Sequence, residues 1–357
     1  MSTERRVEIT GLGKSRGPLN ITREQAAQNL AQASKDSERP TPAAVFARLM
    51  RRVGINERGW LLEGEGASHL GTIAVKQAME MAGITIRDVK VMIVATGLPD
   101  YLGVPTGTII ANELGGNKKL ATMDVSGACP GFIHGLRVVY ESMTSPEGYG
   151  NPQICVAAEP ASKGINPKVP ETYLLFGDAS GAFVMDLVNV DTSYPKFTFD
   201  YGIKPEYLYD LYVPAGGSRK RVDEEVLQNN LDCIVMNGEV VKEVAISCMC
   251  EIAESVLAKA KLTFGDIDLF IPHQANLEII RAVGKKLGIS ENKVFVNIDR
   301  YGNTSAATVP VGVREAWEQG KVKRGNIILG VTFGAGLNYA GAVIPTNGLP
   351  DKNEFSV

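Results

Sequence analysis

Five cysteines and three histidines are all the thiols and imidazoles this chain offers, so the residues able to do nucleophilic chemistry are few. Cys129 stands in Ser126-Gly127-Ala128-Cys129-Pro130-Gly131, between an apolar run ending at Val125 and the stretch 132–143, whose apolar residues have helical spacing. At a helix start the free backbone N–H groups and the helix dipole favour an anion, and Pro130 in the first turn forfeits no hydrogen bond. The Cys129 pKa is therefore expected to fall, which is how a thiol becomes a nucleophile. Its small neighbours would let a carbonyl approach, and its own N–H is a candidate donor to an oxyanion. His273 follows the apolar run 268–271 in Pro272-His273-Gln274-Ala275-Asn276, at the carboxyl end of an expected strand. Asn303 lies in Tyr301-Gly302-Asn303-Thr304-Ser305, in the turn after an expected strand 294–298. A Cys, His and Asn set also serves cysteine hydrolases, so residue types alone do not decide the reaction. Cys155, Cys233, Cys248 and Cys250 read as small core residues, and His69 and His134 as structural.

The elements that would bring these residues together recur along the chain. Residues 84–96 (ITIRDVKVMIVAT) align without gaps on 262–274 (LTFGDIDLFIPHQ), Thr85 on Thr263 and Asp88 on Asp266, both 178 positions apart. Each copy continues with a helix ending at glycine (108–114 before Gly115; 278–287 before Gly288), a strand (121–125; 294–298), a small-residue turn and another helix. Each closes with an apolar strand (153–158; 326–332) and a Gly-rich segment, FGDASGA from Phe176 and FGAGLNYAGA from Phe333. Two duplicated α/β halves are expected, at 1–190 and 191–357, with function on the loops after Thr96, Val125, Ala158, Ile271, Ile298 and Thr332. Ahead of the repeat, Gly11 to Gly17 reads as a loop, 23–34 as a helix, Pro40 and Pro42 as breaks, and 43–53 as a basic helix stopped by Gly54.

Composition excludes several classes. The 357 residues are 44% hydrophobic and 22% charged, and 37 basic against 40 acidic side chains leave −3, without the basic runs that nucleic acid requires. No apolar run is long enough to span a bilayer, and the polar start carries no signal-peptide core, so a cytoplasmic location is expected. An odd cysteine count without a CxxC pair argues against disulfide and metal frameworks.

GACPGF around Cys129, FGDASGA from Phe176, MNGEVV from Met236, PHQAN around His273, GNTSAA from Gly302 and the terminal FGAG, with a GIxER-like Gly54-Ile55-Asn56-Glu57-Arg58, resemble β-ketoacyl-acyl carrier protein synthase III of the thiolase superfamily. The resemblance covers about residues 54 to 345, in family order. It implies a thiolase-like five-layered αβαβα fold of two duplicated halves, usually a homodimer. It also implies a cysteine that takes an acyl group from a thioester and condenses it with a malonyl thioester. The carried-over roles are nucleophile for Cys129, oxyanion donors at the N–H groups of Cys129 and Ala335, and enolate stabilisers in His273 and Asn303. Arg52, Phe176, Met236, Gly238, Asn276, Phe333 and Val104 fall at substrate-binding positions. Acyl-CoA or acyl carrier protein would be the substrate and partner, with no cofactor or metal.

Departures from the family pattern narrow the carry-over. Arg48 stands where a Trp usually packs on adenine, and Pro170 where an Arg is usual. Glu278 replaces a basic docking residue, which would set an unfavourable potential for an acidic carrier protein, with Glu243 adding to it, while Lys242 fills another docking place and Arg281, Lys285 and Lys286 leave a weaker basic face. Val104, small for a residue that plugs the partner's acyl pocket, suggests a longer starter group. The expected reaction is decarboxylative Claisen condensation by a starter enzyme. Transfer of the Cys129 acyl group to an alcohol or amine is the alternative, ahead of a thiol hydrolase or a non-catalytic paralogue. A degradative thiolase is disfavoured because no cysteine follows Cys250.

Overall fold

The computed structural model describes residues 3–35, 41–116 and 118–352. The N-terminal half contains β1 (Thr3–Arg16), β2 (Leu19–Thr22), α1 (Arg23–Ala33), α2 (Ala43–Val53), β3 (Glu57–Trp60), α3 (Ala67–Ala82), β4 (Val91–Ala95), α4 (Thr106–Glu113), β5 (Ala121–Val125), α5 (Gly131–Thr144), β6 (Gln153–Glu159), α6 (Pro170–Tyr173) and β7 (Ala179–Asp191). The C-terminal half contains β8 (Thr198–Ile203), β9 (Leu211–Tyr212), α7 (Glu224–Gln228), β10 (Val235–Met236), α8 (Gly238–Ala260), β11 (Leu269–Pro272), α9 (Leu277–Lys286), α10 (Ile298–Tyr301), α11 (Thr308–Glu318), β12 (Ile327–Gly334) and β13 (Asn338–Pro345).

Two sheets carry the duplication. The first runs β1-β7-β6-β4-β5 and the second β8-β13-β12-β11. In each, the strand within the repeated segment (β4 or β11) pairs in parallel with a sheet neighbour (β6 or β12), and two antiparallel strands complete the edge. The expected strand 294–298 is the departure. Val294 makes only an isolated parallel bridge to Phe270, and Ile298 already begins α10. Residues 295 to 298 are instead held by Gln274, whose amide donates to Phe295 O and accepts from the N–H groups of Asn297 and Ile298. A side chain thus fills backbone valences that a strand partner would otherwise meet.

Side-chain alternation builds the layers. On β4, Val91, Ile93 and Ala95 enter the core between the sheets, whereas Met92 and Val94 face α3 and α4 on the outside. On β11, Leu269 and Ile271 join that same central core and Phe270 turns out to α8 and α9. Helices α5 and α11 supply Phe132, Ile133, Val309 and Val313 to the centre, giving the order helix, sheet, helix, sheet, helix. Among the described residues no helix is long and apolar enough to cross a membrane.

The reading of Gly11 to Gly17 as a loop is corrected. Those residues lie mostly in β1, which pairs antiparallel with β7 at 13 of its 14 residues, broken by a bulge at Thr10. Gly11 and Gly13 mark a close approach, since a Cβ at Gly13 would stand 1.8 Å from Ala74 O of α3. The glycines let α3 lie directly on the strand. Helix α2 has the expected limits, with Gly54 in the left-handed region at φ +86°. The break at Pro40 lies outside the described residues.

Candidate active site

Cys129 sits between β5 and α5, on a turn strained at Ala128 (φ +47°). The helix itself begins at Gly131. From the other half, Gly334 at the end of β12 presses on this turn, and a Cβ there would lie 2.8 Å from Cys129 N. Ala335 follows directly and shares a cavity wall with Cys129.

His273 leaves β11 with its N–H bonded to Val331 O of β12 (2.8 Å). Its Nδ1 lies 3.1 Å from Thr308 Oγ1, and its ring meets Phe333 edge-on at 5.5 Å. Burial pushes its pKa down to about 3, so the ring is neutral. In the tautomer where the Thr308 hydroxyl donates to Nδ1, the proton resides on Nε2, which is then a hydrogen-bond donor. Asn303 is clamped by main chain from the segment before β7, its N–H to Leu175 O (2.8 Å) and its carbonyl accepting from Gly177 N (3.0 Å). Asp178, next in that segment, accepts from Leu61 N, Ser162 N and Ser162 Oγ and so ties the surrounding loops together. Beneath it Arg58 is fully buried, donating to Tyr173 O and packed over the Trp60 and Tyr173 rings.

One cavity of about 280 Å³ brings together Cys129, His273 and Asn303, with Phe176, Met236, Gly238, Asn276 and Phe333 also in its wall. A second, of about 220 Å³, meets it at Cys129, Phe176 and Leu211 and is lined by Leu98, Ala161, Ile234 and Ala335. Two expected substrate residues fall elsewhere. Arg52 lines an outer groove with Asn166 and Asn237, and Val104, 42% exposed on the loop before α4, lines neither cavity.

Two electrostatic expectations are corrected. The Cys129 thiol is not lowered but pushed up to about 12 by burial, opposed by the Ser305 hydroxyl and aided by the nearby Glu159 carboxyl. Desolvation outweighs the helix end. Glu278, expected to set an unfavourable potential for an acidic carrier, is held below the usual carboxylate range by Arg52 and Lys242, with Arg52 Nε at 2.8 Å and Lys242 Nζ also bonded to it. The charge reversal is absorbed locally. Arg48 is exposed on α2, and Pro170 lies in the wall of the first cavity.

Sequence reasoning overlooked two residues. Glu159 is the last residue of β6, one beyond Ala158, and is buried; Ser305 follows the GNT of Gly302-Asn303-Thr304. Ser305 Oγ lies 3.5 Å from Cys129 Sγ and 3.4 Å from Glu159 Oε1. The strand-end position of Glu159 was the available signal.

Comparison with known proteins supplies the deciding observation. A β-ketoacyl-[acyl-carrier-protein] synthase III of Caldanaerobacter subterraneus is 40% identical over 300 residues, 82% of this chain and 87% of its own. This chain belongs to the β-ketoacyl-acyl carrier protein synthase III family. The family's profile, 3-oxoacyl-[acyl-carrier-protein] synthase III, matches residues 123–199, and its C-terminal profile matches 257–346. The synthase III structure from Aquifex aeolicus superposes with a TM-score of 0.80 at 29% identity, over 94% of this chain and 99% of that one. The priming β-ketosynthase of the R1128 polyketide pathway gives 0.81 at 28% identity, over 97% and 99%. As a synthase III, the chain is an acyltransferase of thiolase fold.

Proposed function

We propose that this synthase III starts acyl chains by passing an acyl group from a thioester to Cys129 and condensing it there with a malonyl thioester, with loss of CO₂. The observation that carries the reading is the convergence of Cys129, His273 and Asn303 on one cavity from opposite halves of a duplicated fold. In acylation, the Cys129 sulfur attacks the thioester carbonyl. The N–H groups of Cys129 and Ala335 receive the oxyanion, and the leaving thiol takes the proton that Cys129 gives up. In condensation, loss of CO₂ leaves an enolate whose oxygen needs donors, not a strong base. His273 Nε2–H and the Asn303 amide fill that need, and a ring held neutral by burial keeps its donor without carrying charge. The enolate carbon then attacks the Cys129 acyl carbonyl, and expulsion of the sulfur frees a β-ketoacyl thioester.

The apolar second cavity suits the acyl chain, and Phe176, Met236, Gly238, Asn276 and Phe333 flank the path of the incoming thioester. Arg52 would meet that thioester's carrier at the outer groove. Acyl-CoA and acyl carrier protein are the donors this reading admits, with no cofactor, in a cytoplasmic setting. A homodimer fits the exposed edge of β5 and the neighbouring loop, where Tyr101, Leu102, Val104 and Met123 are exposed. Incubation with acyl-CoA or acyl carrier protein, followed by intact-mass spectrometry, tests the reaction. An acyl adduct on Cys129 that is consumed only when malonyl thioester is added is expected. An adduct discharged equally well by water or an amine would overturn it.

A further inference from the structure

Two groups beside the sulfur take no part in the steps above. Glu159 is 3% exposed at the end of β6, its Oε2 3.3 Å from Gly97 N–H, and the Ala306 N–H also reaches its carboxyl. Ser305 bridges it to Cys129 from a left-handed backbone (φ +50°), a conformation that a residue with a β-carbon holds at a cost. A serine hydroxyl has one proton and cannot donate to both neighbours at once. If Glu159 is ionised, that proton goes to the carboxylate. If Glu159 is neutral, its own O–H can donate to Ser305 Oγ, leaving the serine proton for the sulfur.

We propose that Glu159 is a positioning acid: kept neutral, it donates to Ser305 Oγ and thereby directs the Ser305 hydroxyl proton onto Cys129 Sγ, supporting the thiolate during acylation. The inference rests on Cys129 being the nucleophile. It follows the general pattern of a carboxylic acid held neutral so that it can donate. Burial pushes the Glu159 pKa up to about 8, against the pull of the Gly97 and Ala306 N–H groups and Ser305, and with Asp178 acting in the same direction as burial. The other titratable groups around the sulfur are neutral His273, Glu171 and Lys242 in the first cavity wall and Tyr212 in the second. Ionisation of Glu159 would therefore withdraw a donor from the thiolate and add a negative charge beside it.

The test is the pH dependence of Cys129 alkylation by iodoacetamide, followed by peptide mass spectrometry. It needs no acyl or malonyl substrate, so its outcome is independent of whether the proposed condensation occurs. In the parent, the rate rises about tenfold per pH unit up to about pH 8 and more shallowly above it. Glu159→Gln, which keeps a neutral donor, reacts within a few-fold of the parent at pH 7 and loses the bend. Ser305→Ala reacts about tenfold to a hundredfold more slowly at pH 7, the range for a hydrogen bond to a charged group, and also loses the bend. A straight parent profile through pH 9, a bend that survives in Glu159→Gln, or Ser305→Ala reacting like the parent would each overturn the proposal. The two variants probe the same relay from opposite ends, so misfolding of one leaves the other decisive.

Discussion

The Ser305 N–H donates to Asn303 Oδ1 at 2.9 Å. This bond occupies the Oδ1 edge of the Asn303 amide with protein, which leaves Nδ2 to act as the donor to the substrate oxygen in the proposed reaction. Asn303→Asp keeps the acceptor for Ser305 and replaces the free donor by a carboxylate oxygen. Acylation of Cys129 is expected to persist, while decarboxylation of malonyl thioester falls about a hundredfold to a thousandfold. Single-turnover measurement of each half-reaction checks this, and equal loss in both contradicts the division of labour.

Gly334 faces a different constraint, since any β-carbon there runs into the Cys129 main chain. Gly334→Ala is expected to push the Cys129 turn away from Ala335, separating the two proposed oxyanion donors, cutting acylation at least about tenfold and costing about 1–3 kcal/mol in stability from overpacking. Acyl-adduct formation rates and denaturant titration read the two effects separately. Wild-type acylation in the variant would mean that the turn does not set the donors.

At the mouth, Glu278 occupies Arg52 and Lys242 together. Its removal in Glu278→Ala frees two cations, Arg52 in the outer groove and Lys242 in the wall of the first cavity, so association with an acidic carrier protein should speed up about two- to tenfold at low ionic strength and lose that gain in high salt. Stopped-flow association rates at two salt concentrations decide it. An unchanged rate places the carrier's contact elsewhere.

Stability should depend on pH in two opposed ways. Glu159 is raised from 4.5 to about 8, so the folded state holds a proton that the unfolded state releases, and its contribution is full below pH 4.5 and lost as pH rises through about 8. His273 is lowered from 6.5 to about 3, so the unfolded state binds the extra proton, and its contribution is full above pH 6.5 and lost as pH falls through about 3. Glu159→Gln should therefore remove a loss of stability toward pH 8 and leave the acid side unchanged. Urea unfolding across pH 4 to 9 measures both arms, and an unaltered alkaline arm would show that Glu159 ionises freely.

The edge of β5 yields a fifth expectation. Met123→Arg adds a charge to the exposed apolar edge strand and is expected to shift the protein to monomers in sedimentation velocity. A dimer that persists at the same concentration would mean the contact lies on another face.

Much of this site is legible in the sequence because its candidate catalytic residues sit on motifs bounded by strong local signals: the small-residue turn around Cys129, the apolar run into Pro272-His273, the Gly302 turn before Asn303. Periodicity also exposes β4 and β11, whose consecutive apolar residues face two cores at once. Where the reading failed, the cause was long-range. Gly11 and Gly13 look like loop residues until α3 is laid across them. The segment 294–298 is apolar enough for a strand but finds Gln274 instead of a full partner. Arg52 and Lys242 neutralise Glu278 from helices far away in sequence, and burial of Cys129 by Gly334 and its surroundings cannot be read from the six residues around it.

The two cavities share Cys129, Phe176 and Leu211, so the sulfur stands at a junction and not at the end of a single passage. Under the proposed function a kinetic order follows. The acyl group, once on sulfur, can retire into the inner chamber while the spent thiol backs out of the outer one. The extender then enters the berth just vacated, because both thioesters must present a carbonyl to the same face of the site. Such a layout makes the two substrates rivals for one seat, and an abundant extender arriving early would hold up its own reaction by keeping the starter out.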